Sequence, residues 1–445
     1  MCHMTKPVAL LINPPVYDFA LFDLFHKPLG LLKIGRWLSD AGYRVNFVDG
    51  LDYTDEASSR TLGKPRRRRN GTGKFHRQSA SFPSSHVGIQ RRFSRYGMLS
   101  DSLEERISQI RPHIVLITSG MTYWYPGVAE AVQASRKVWP NAPVIVGGTY
   151  ATLLREHCAR IVGPDFVVAG EPFTALAGIL EKKGLPVPAA AGCDLVLPEK
   201  RVWRGSGVIR LNEGCPMNCD YCASRLLSRR FQPGSVGTAV ENLEALVGQC
   251  GIVSCAFYDD ALLHDKERAF IPLLEQIIAR RFGISFYLPN AVHLRYLDLY
   301  TAQLMKAAGF REIRLGYESS SPDFHERLDS KVVEQELEGG VALLREAGFG
   351  RNEIITYVLA GLPRQHADEV EASIRHASSL GVRVSLAEYS PVPGTALWDA
   401  SVAAASYPIA EEPLYQNNSI LSMEWRGFSR GDLQRLRELT IALSL

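Results

Sequence analysis

Three cysteines lie within eight residues of this chain, at Cys215, Cys219 and Cys222, separated by three and then by two residues. Thiolates at this spacing can converge on one metal cluster from a single loop, whereas a closed structural metal site normally has four protein ligands. Three ligands therefore indicate a [4Fe–4S] cluster with one iron open to a small molecule. A zinc loop with a distant fourth ligand, and core cysteines without a metal, are the alternatives that spacing alone leaves open.

Composition places the chain among ordinary globular proteins. Its 445 residues include 46% hydrophobic and 22% charged residues, and this length allows two or three domains. No run of about 18 apolar residues occurs, so no transmembrane helix is expected, and the apolar run Val8–Ile12 is too short for a signal peptide. The five other cysteines are scattered, which indicates the reducing cytoplasm rather than a disulfide scaffold.

One segment, residues 57–100, is strongly basic. It contains eleven Lys and Arg and no Asp or Glu, so the net charge of +3 leaves −8 for the rest of the chain (3 − 11). Such a patch can bind RNA, a phosphorylated substrate or an anionic cofactor tail. The alternative is a solvated, partly disordered insertion, and we favour it for Arg66–Arg69. For the stretches Gly71–Arg77 and Arg91–Tyr96, a loop that closes over a ligand and a solvated insertion are equally well supported.

The N-terminal part of the chain alternates between strand-like and helix-like patterns. The predicted strands are Val8–Ile12, Tyr43–Asp49, His113–Thr118, Val144–Val146 and Phe166–Ala169. The predicted helices between them are about Leu29–Ala41, Ser102–Ile110 and Tyr125–Trp139. This alternation predicts a doubly wound parallel sheet, whose ligands bind beyond the carboxyl ends of the strands.

A second pattern begins at Gly207. Six strand-like runs separated by amphipathic helices are Val208–Leu211, Ser254–Tyr258, Ser285–Leu288, Glu312–Gly316, Ile354–Leu359 and Arg383–Tyr389. Six such units predict a partial (β/α)6 barrel. Functional residues of barrels collect at the C-terminal ends of the strands, and these ends are polar here, as at Asp259, Asn290 and Glu318.

The cysteine spacing, with Tyr221 directly before the last cysteine, resembles the radical S-adenosylmethionine (SAM) family. The resemblance implies that Cys215, Cys219 and Cys222 hold the cluster and that SAM chelates the open iron through its amino and carboxylate groups. The SAM contacts it implies are Tyr221, Tyr258, Asp259, Glu318 and Gly361. A role as helix N-cap is at least as well supported for Asp260 and Ser319, and Asn290 is expected to face the substrate.

The loops after two N-terminal strands resemble the cobalamin-binding Rossmann domain that precedes many radical SAM barrels. The cobalamin contacts this implies are Ser119, Met121, Thr122, Tyr123, Gly147, Gly148, Thr149 and Glu171. The Asp-x-His-x-x-Gly signature is absent, since Asp23–Gly30 has the wrong spacing, so a cobalt bond from His26 is not expected. A Rossmann domain that has lost its cofactor is the alternative.

Together these resemblances imply an α/β protein with a Rossmann-like cobalamin-binding domain, a partial (β/α)6 radical SAM barrel and a small helical C-terminal region. The domain boundaries predicted are 1–172 for the first domain with the basic insertion 57–100, 173–206 for a linker, 207–398 for the barrel and 399–445 for a cap.

The function implied is that of a cobalamin-dependent radical SAM methyltransferase that methylates an unactivated carbon of a small-molecule or natural-product substrate. Its cofactors are a [4Fe–4S] cluster, SAM and cobalamin, and its redox partner is an external donor of the flavodoxin or ferredoxin type. The alternatives are a radical rearrangement or cyclisation without methyl transfer, an RNA-modifying enzyme that grips RNA through Arg91, Arg92 and Arg95, and a non-enzymatic cluster- and corrinoid-binding sensor. A nucleic-acid partner is not favoured, and no membrane association is expected.

Overall fold

The fold is described from a computed structural model, which covers residues 6–82, 89, 91–228, 230–330, 332 and 335–444. Cys2 and part of the basic segment, 83–88 and 90, lie outside these residues. The chain forms two compact units: one runs up to Gly205 and includes Gly248–Gly251, and the other comprises Ser206–Val247 and Ile252 onward. The finer boundaries at 172 and 398 stay predictions.

The first unit is built around a five-stranded parallel sheet in the order β3-β1-β6-β7-β8. The strands of this unit are β1 Val8–Asn13, β2 Val16–Asp18, β3 Arg44–Asp49, β4 Arg77–Ser79, β5 Ser94–Tyr96, β6 Ile114–Ile117, β7 Val144–Gly147 and β8 Phe166–Val168. Its α-helices are α1 Leu29–Asp40, α2 Glu56–Leu62, α3 Ser100–Ser108, α4 Tyr125–Val138, α5 Thr149–Leu153, α6 Arg155–His157 and α7 Pro172–Lys182.

The strand order confirms the doubly wound sheet. In succession along the chain, the five strands lie in the order 2-1-3-4-5, so the direction of winding reverses between β1 and β6. All residues of β1 and β6 are buried, because helices cover both faces of the sheet, which explains their continuous apolar sequences. Ligands of this topology bind at the switch point, beyond the carboxyl ends of β1 and β6.

The described part of the basic segment is ordered, although most of its basic side chains, including Arg66, Arg68 and Arg69, are exposed. Its strands β4 and β5 pair with β2 in a three-stranded antiparallel sheet. Arg95, 5% exposed, forms a bidentate ion pair with Glu130 of α4 at 2.6 and 2.8 Å. The prediction for Arg66–Arg69 is wrong at Arg67, whose guanidinium lies 2.6 Å from the Asp23 carboxylate and over the Tyr53 ring. Arg67 and Arg95 therefore form ion pairs within the first unit.

The second unit contains six parallel strands in sequential order, β9-β10-β11-β13-β14-β15, with the short β12 beside β13. The strands are β9 Ser206–Ile209, β10 Ser254–Phe257, β11 Ser285–Tyr287, β12 Val292–His293, β13 Phe310–Glu318, β14 Ile354–Ala360 and β15 Arg383–Glu388. The helices are α8 Ser224–Leu227, α9 Val236–Cys250, α10 Phe270–Arg280, α11 Leu299–Ala308, α12 Pro322–Leu328, α13 Glu336–Glu346, α14 Ala367–Ser379, α15 Trp398–Ala404 and α16 Arg430–Ser444.

Sequential strand order distinguishes this unit from the first. Each βα unit adds its strand on the same side, as in a barrel, and no reversal of winding divides the sheet. The C-terminal ends of all six strands therefore lie along one edge. The last helix, α16, is held to the end of β15 by a bidentate ion pair of Arg437 with Glu388, with both distances 2.6 Å. No helix within the described residues is both long and apolar enough to cross a membrane.

Candidate functional site

A cavity of about 490 Å³ opens at the C-terminal ends of the strands in the second unit. Its wall includes the side chains of the loop after β9 and of the residues that end β10, β11, β13 and β15. The polar and thiol side chains in the wall include Cys215, Asn218, Cys219, Asp220, Cys222, Ser224, Arg225, Asp260, Asn290, His293, Glu318 and Tyr357. The three predicted cluster ligands thus share one cavity with three carboxylates, Asp220, Asp260 and Glu318, and with His293.

The cysteine loop is fixed mainly by its backbone. Gly214 has a φ of 75°, and a Cβ there would lie 2.5 Å from the Arg230 carbonyl oxygen, so glycine is needed for the loop to pass. The Cys222 amide donates to the Cys219 carbonyl at 3.0 Å, which closes a turn. The Asp220 amide donates to the Leu328 carbonyl at 2.9 Å, and the Asp220 carbonyl accepts from the Leu397 amide at 3.1 Å. These bonds tie the loop to α12 and α15.

The donor set fits a polynuclear cluster. Cys215 and Cys219 are half-buried and Cys222 is exposed, and none of the three is in a disulfide. Among the residues described, no three His, Cys, Asp or Glu side chains converge as ligands of a single metal ion. A cluster differs from a single ion because each thiolate binds a different iron.

Tyr221 lies behind the loop and is not among the residues that line the cavity. Its ring packs against an apolar cluster that includes Phe324, Leu359 and Leu362. Its hydroxyl donates to Asp329 Oδ2 at 2.8 Å, and Asp329 Oδ1 lies 2.8 Å from His325 Nδ1. The structure therefore gives Tyr221 an anchoring role, and its predicted contact with the adenine of SAM stays a prediction.

This anchor makes a measurable contribution to stability. We expect Tyr221→Phe to lower the free energy of unfolding by about 1 kcal/mol, the usual net value of one hydrogen bond, because the ring packing is kept and only the bond to Asp329 is lost. Cluster content per protein should stay unchanged. Urea unfolding of the apoprotein and iron analysis of the reconstituted protein measure the two quantities. A variant of unchanged stability would contradict the anchoring role.

The two aspartates that follow β10 have different surroundings. Asp259, 3% exposed, faces the interior, where its carboxylate accepts the backbone amides of Leu211 and Asn212 at 3.0 and 2.6 Å. Neither Asp259 nor Tyr258 lines the cavity, whereas Asp260 does. Both residues follow Phe257, the last residue of β10, so the alternation of the strand does not decide their directions. The predicted SAM contact of Asp259 stays a prediction, and Asp260, for which the sequence also suggests an N-cap, is the carboxylate that the cavity makes available to the SAM ammonium group.

Buried Asp259 makes stability depend on pH. Burial raises its pKa to about 7, against about 3.9 in an unfolded chain. The folded state therefore holds a proton that the unfolded state releases, and stability falls as the pH rises from about 4 to about 7. The slope from this one proton is at most about 1.4 kcal/mol per pH unit. We expect Asp259→Asn to remove this part of the slope in urea unfolding between these values, and an identical slope in both proteins would contradict it.

Glu318 and Gly361 end neighbouring strands but differ in position. Glu318 lines the cavity at a bulge in the pairing of β13 with β14, and its φ is 68°. Because left-handed backbone is costly for a residue with a Cβ, such a position in a cavity wall supports a functional role. Gly361 is not among the lining residues, and its amide donates to Gln365 Oε1 at 2.8 Å.

Two polar residues that sequence reasoning missed line the same cavity. Arg225 donates to Asn218 Oδ1 at 2.6 Å and supplies a positive charge in the cavity wall. His293 lies 3.9 Å from the Cys215 sulfur, measured from Nε2. For Arg225, the only signal in the sequence is its closeness to the three cysteines. For His293 there is no such signal, because β12 has only two residues and therefore shows no periodicity.

The predicted cobalamin residues occupy the carboxyl edge of the first sheet. Ser119 follows β6 at the switch point, and its hydroxyl donates to the Gly147 carbonyl at 2.7 Å. Gly148 has a φ of 101°, and a Cβ there would lie 2.4 Å from the Ser119 carbonyl oxygen. Glycine at 148 is thus required by the chain itself, whereas a Cβ at Gly147 would make only ordinary contacts.

The remaining predicted contacts are divided by exposure. Thr122 and Tyr123 are buried, so they support the loop rather than offer a surface. Glu171 caps α7 by accepting the amides of Phe173 and Thr174. Thr149 begins α5 directly after Gly148. Met121 is 48% exposed, an apolar side chain presented beyond the end of β6. Met121 is therefore the predicted contact that offers apolar surface to a ligand at this edge.

Met121 offers a test of cobalamin binding that leaves the core intact. We expect Met121→Glu to weaken cobalamin binding about tenfold, or about 1.4 kcal/mol, because it places a charge against an apolar ligand. Ile161→Glu is the matched control, since Ile161 is a similarly exposed apolar residue of the same unit. Fluorescence or absorbance titration with hydroxocobalamin measures both. Equal affinities of the two variants would contradict the placement.

His26 lies at the same end of the unit. Its ring packs edge-on against Trp124, with 5.4 Å between ring centres. The surrounding protein lowers its pKa through desolvation, so the imidazole is neutral near pH 7. The prediction that it forms no cobalt bond stays a prediction.

Comparison with known proteins gives two family matches. Residues 209–377 match the Radical SAM superfamily, and residues 86–180 match the B12 binding domain. The uncharacterised methyltransferase PH0819 of Pyrococcus horikoshii is 27% identical over 378 residues, which is 75% of this chain and 76% of that protein.

Two solved structures share the fold. The radical SAM methyltransferase TsrM of Kitasatospora setae superposes with a TM-score of 0.66 at 17% identity, over 90% of this chain and 78% of that one. The cobalamin-dependent SAM radical enzyme OxsB superposes with a TM-score of 0.59 at 12% identity, over 99% of this chain and 62% of that one. The chain therefore carries a region that matches the B12 binding domain ahead of a region that matches the Radical SAM superfamily.

Proposed function

We propose that this protein is a cobalamin-dependent radical SAM methyltransferase that methylates an unactivated carbon of a small-molecule substrate. The observation that carries the proposal is the joint position of three cysteine thiols and the carboxylates of Asp260 and Glu318 in one cavity. The B12 match in the first unit, with its exposed ligand edge, supports the second cofactor. The methyltransferases similar to the chain support the reaction type.

The residues divide the work between cofactor binding and orientation. In this proposal Cys215, Cys219 and Cys222 hold the cluster, and the Asp260 carboxylate accepts hydrogen bonds from the ammonium group of SAM, as a carboxylate does from any such cation. Glu318 binds the ribose or methionine part. When bound, the cluster and SAM supply one-electron chemistry at the reacting carbon, and cobalamin supplies the methyl group.

The cavity limits the substrate by size. Its volume of about 490 Å³ lies in the range of small-molecule sites, about 300–1,000 Å³. Asn290 lines it and donates to the carbonyls of Tyr258 and Asp259 at 3.2 Å, which fixes the amide so that its oxygen is available to a ligand. Tyr357 lines it too, and its hydroxyl accepts from Arg314 at 2.5 Å. These groups are our candidates for substrate contacts.

The test uses the full chain, reconstituted without oxygen with iron, sulfide and hydroxocobalamin. We expect stoichiometric cobalamin and, with methyl-labelled SAM and a strong reductant, transfer of the label to the cobalt, detected by mass spectrometry. With substrate, S-adenosylhomocysteine should form beside 5′-deoxyadenosine. Formation of 5′-deoxyadenosine alone, with no labelled corrin, would instead support a rearrangement or cyclisation.

One internal arginine argues against the RNA-modifying alternative. Arg95 is buried and paired with Glu130, so one of the three arginines assigned to RNA is not available to bind it. The proposed reaction requires an external electron donor of the flavodoxin or ferredoxin type.

The described cysteines are not in disulfides. This supports a reducing compartment, and we propose the cytoplasm.

A further inference from the structure

We propose that His293 sets the reduction potential of the cluster by donating a hydrogen bond from Nε2 to the sulfur of Cys215. The inference rests on the proposed function in one respect, that Cys215 binds a cluster iron. It goes beyond that function because it assigns a role to a side chain outside the cysteine loop and the SAM contacts.

The backbone of His293 is held in place by the pairing of β12 with β13. β12 consists of Val292 and His293 and pairs only with Leu315 and Gly316 of β13 within the described residues. His293 is 6% exposed, lines the cavity, and packs edge-on against Tyr296 with 6.2 Å between ring centres. The imidazole is thus held in place at the cluster side of the cavity.

The distance and chemistry define the direction of the bond. Nε2 lies 3.9 Å from Cys215 Sγ, a separation at which the large sulfur atom still accepts a weak hydrogen bond. An iron-bound thiolate has no proton, because metal binding removes it, so the sulfur can only accept. The imidazole must therefore carry its proton on Nε2.

A donor to a ligand sulfur favours the reduced cluster. Reduction adds one negative charge, which spreads over the sulfurs, and a hydrogen bond to charge is stronger than one to a less charged acceptor. The reduction potentials of such clusters depend on hydrogen bonds to their sulfurs. Cys222 has a comparable partner, since the Ser224 amide lies 3.5 Å from its sulfur. His293 is the corresponding donor at Cys215, and it raises the potential toward that of a cellular donor.

The test compares a variant that keeps the donor with one that loses it. His293→Gln keeps an N–H group, and His293→Phe keeps an aromatic ring without one. Both are reconstituted anaerobically as full chains without SAM, and the fraction of reduced cluster is followed by electron paramagnetic resonance in a potentiometric titration. His376→Gln is the control, since His376 lies on α14 and is not among the cavity residues.

We expect the ratio of reduced to oxidised cluster at a fixed potential to fall about tenfold in His293→Phe, a shift of about 59 mV for one electron. His293→Gln should shift by less than half of this, and His376→Gln should match the wild type. An unchanged potential in His293→Phe overturns the inference, and so does an equal shift in the Gln and Phe variants, which would point to packing.

A failure of the proposed function would be distinguishable. If the wild-type chain assembles no cluster, the function and not the hydrogen bond is refuted. If only His293→Phe fails to assemble, His293→Met gives the same comparison with Gln, because the two side chains are similar in length and only Gln has an N–H donor.

Discussion

Cys219→Ala is expected to abolish both the cluster and SAM cleavage. The chain offers three thiols in the cavity, and a cluster that keeps one iron open for SAM needs all three. An alanine there leaves two ligands and an iron without its protein bond. Iron and sulfide content, the visible absorbance band and 5′-deoxyadenosine formation should all be lost after anaerobic reconstitution.

Cys250→Ala is the matched control for this loss. Cys250 is a half-buried free thiol at the end of α9 and is not among the cavity residues. We expect it to retain the full iron and sulfide content and to cleave SAM as the wild type does. A fully formed, reducible cluster in Cys219→Ala would remove the basis of the whole assignment.

Asp260→Asn is expected to weaken SAM binding about 10- to 100-fold, because a hydrogen bond to a charged group contributes about 1.5–3 kcal/mol. Although Asp260 is accessible from the cavity, desolvation by the surrounding protein raises its pKa, against the hydrogen bond from Ser224 and the charge of Arg210. The ammonium group of SAM prefers the ionised form. Wild-type affinity should therefore fall as the pH drops through the pKa of Asp260.

The neighbouring aspartate supplies the control for Asp260. Asp259→Asn changes a residue of the same type, one position away, that faces backbone amides rather than the cavity. Its SAM affinity, measured by anaerobic equilibrium dialysis on protein with full cluster content, should stay within about threefold of wild type. If Asp259→Asn weakens binding and Asp260→Asn does not, the assignment of the two carboxylates is reversed.

The elements that build the two sheets could be predicted because their sequences carry a strong signal. Buried parallel strands such as β1 and β6 are continuous apolar runs, and the polar residue that follows each one marks its end. The predicted start of the last strand at Arg383 matches β15, and the predicted strand beginning at Ile354 matches β14. Those patterns were enough to predict both the doubly wound sheet and the sequential barrel strands.

Side-chain direction at the strand ends could not be predicted. A single residue decides whether a carboxylate faces the cavity, as Asp260 does, or the backbone of Leu211 and Asn212, as Asp259 does. The strand ends one residue earlier than predicted, at Phe257, and sequence patterns do not locate ends to that accuracy. The same limit applies to His293, because the two-residue β12 has no periodicity to detect.

Long-range ion pairs were also invisible in the sequence. The run Arg66–Arg69 contains four like charges, and a solvated loop is the usual outcome of such a run. Arg67 instead meets Asp23, 44 residues earlier, and Arg95 meets Glu130, 35 residues later. Partners this distant follow from the fold alone, so charge counts could indicate the segment but not the use of its members.

The small sheet β2-β5-β4 also bears on protein engineering. A designer who trimmed residues 57–100 as a dispensable surface appendage would remove Phe75 and Tyr96, which pack with Val16 and Leu51 in one apolar cluster. The shortened chain would expose apolar side chains to water and would leave Glu130 without its ion-pair partner Arg95. We therefore expect it to precipitate during expression. Useful truncation in this region must therefore spare both hairpin strands and also Phe82 and Phe93, whose rings pack against Phe19.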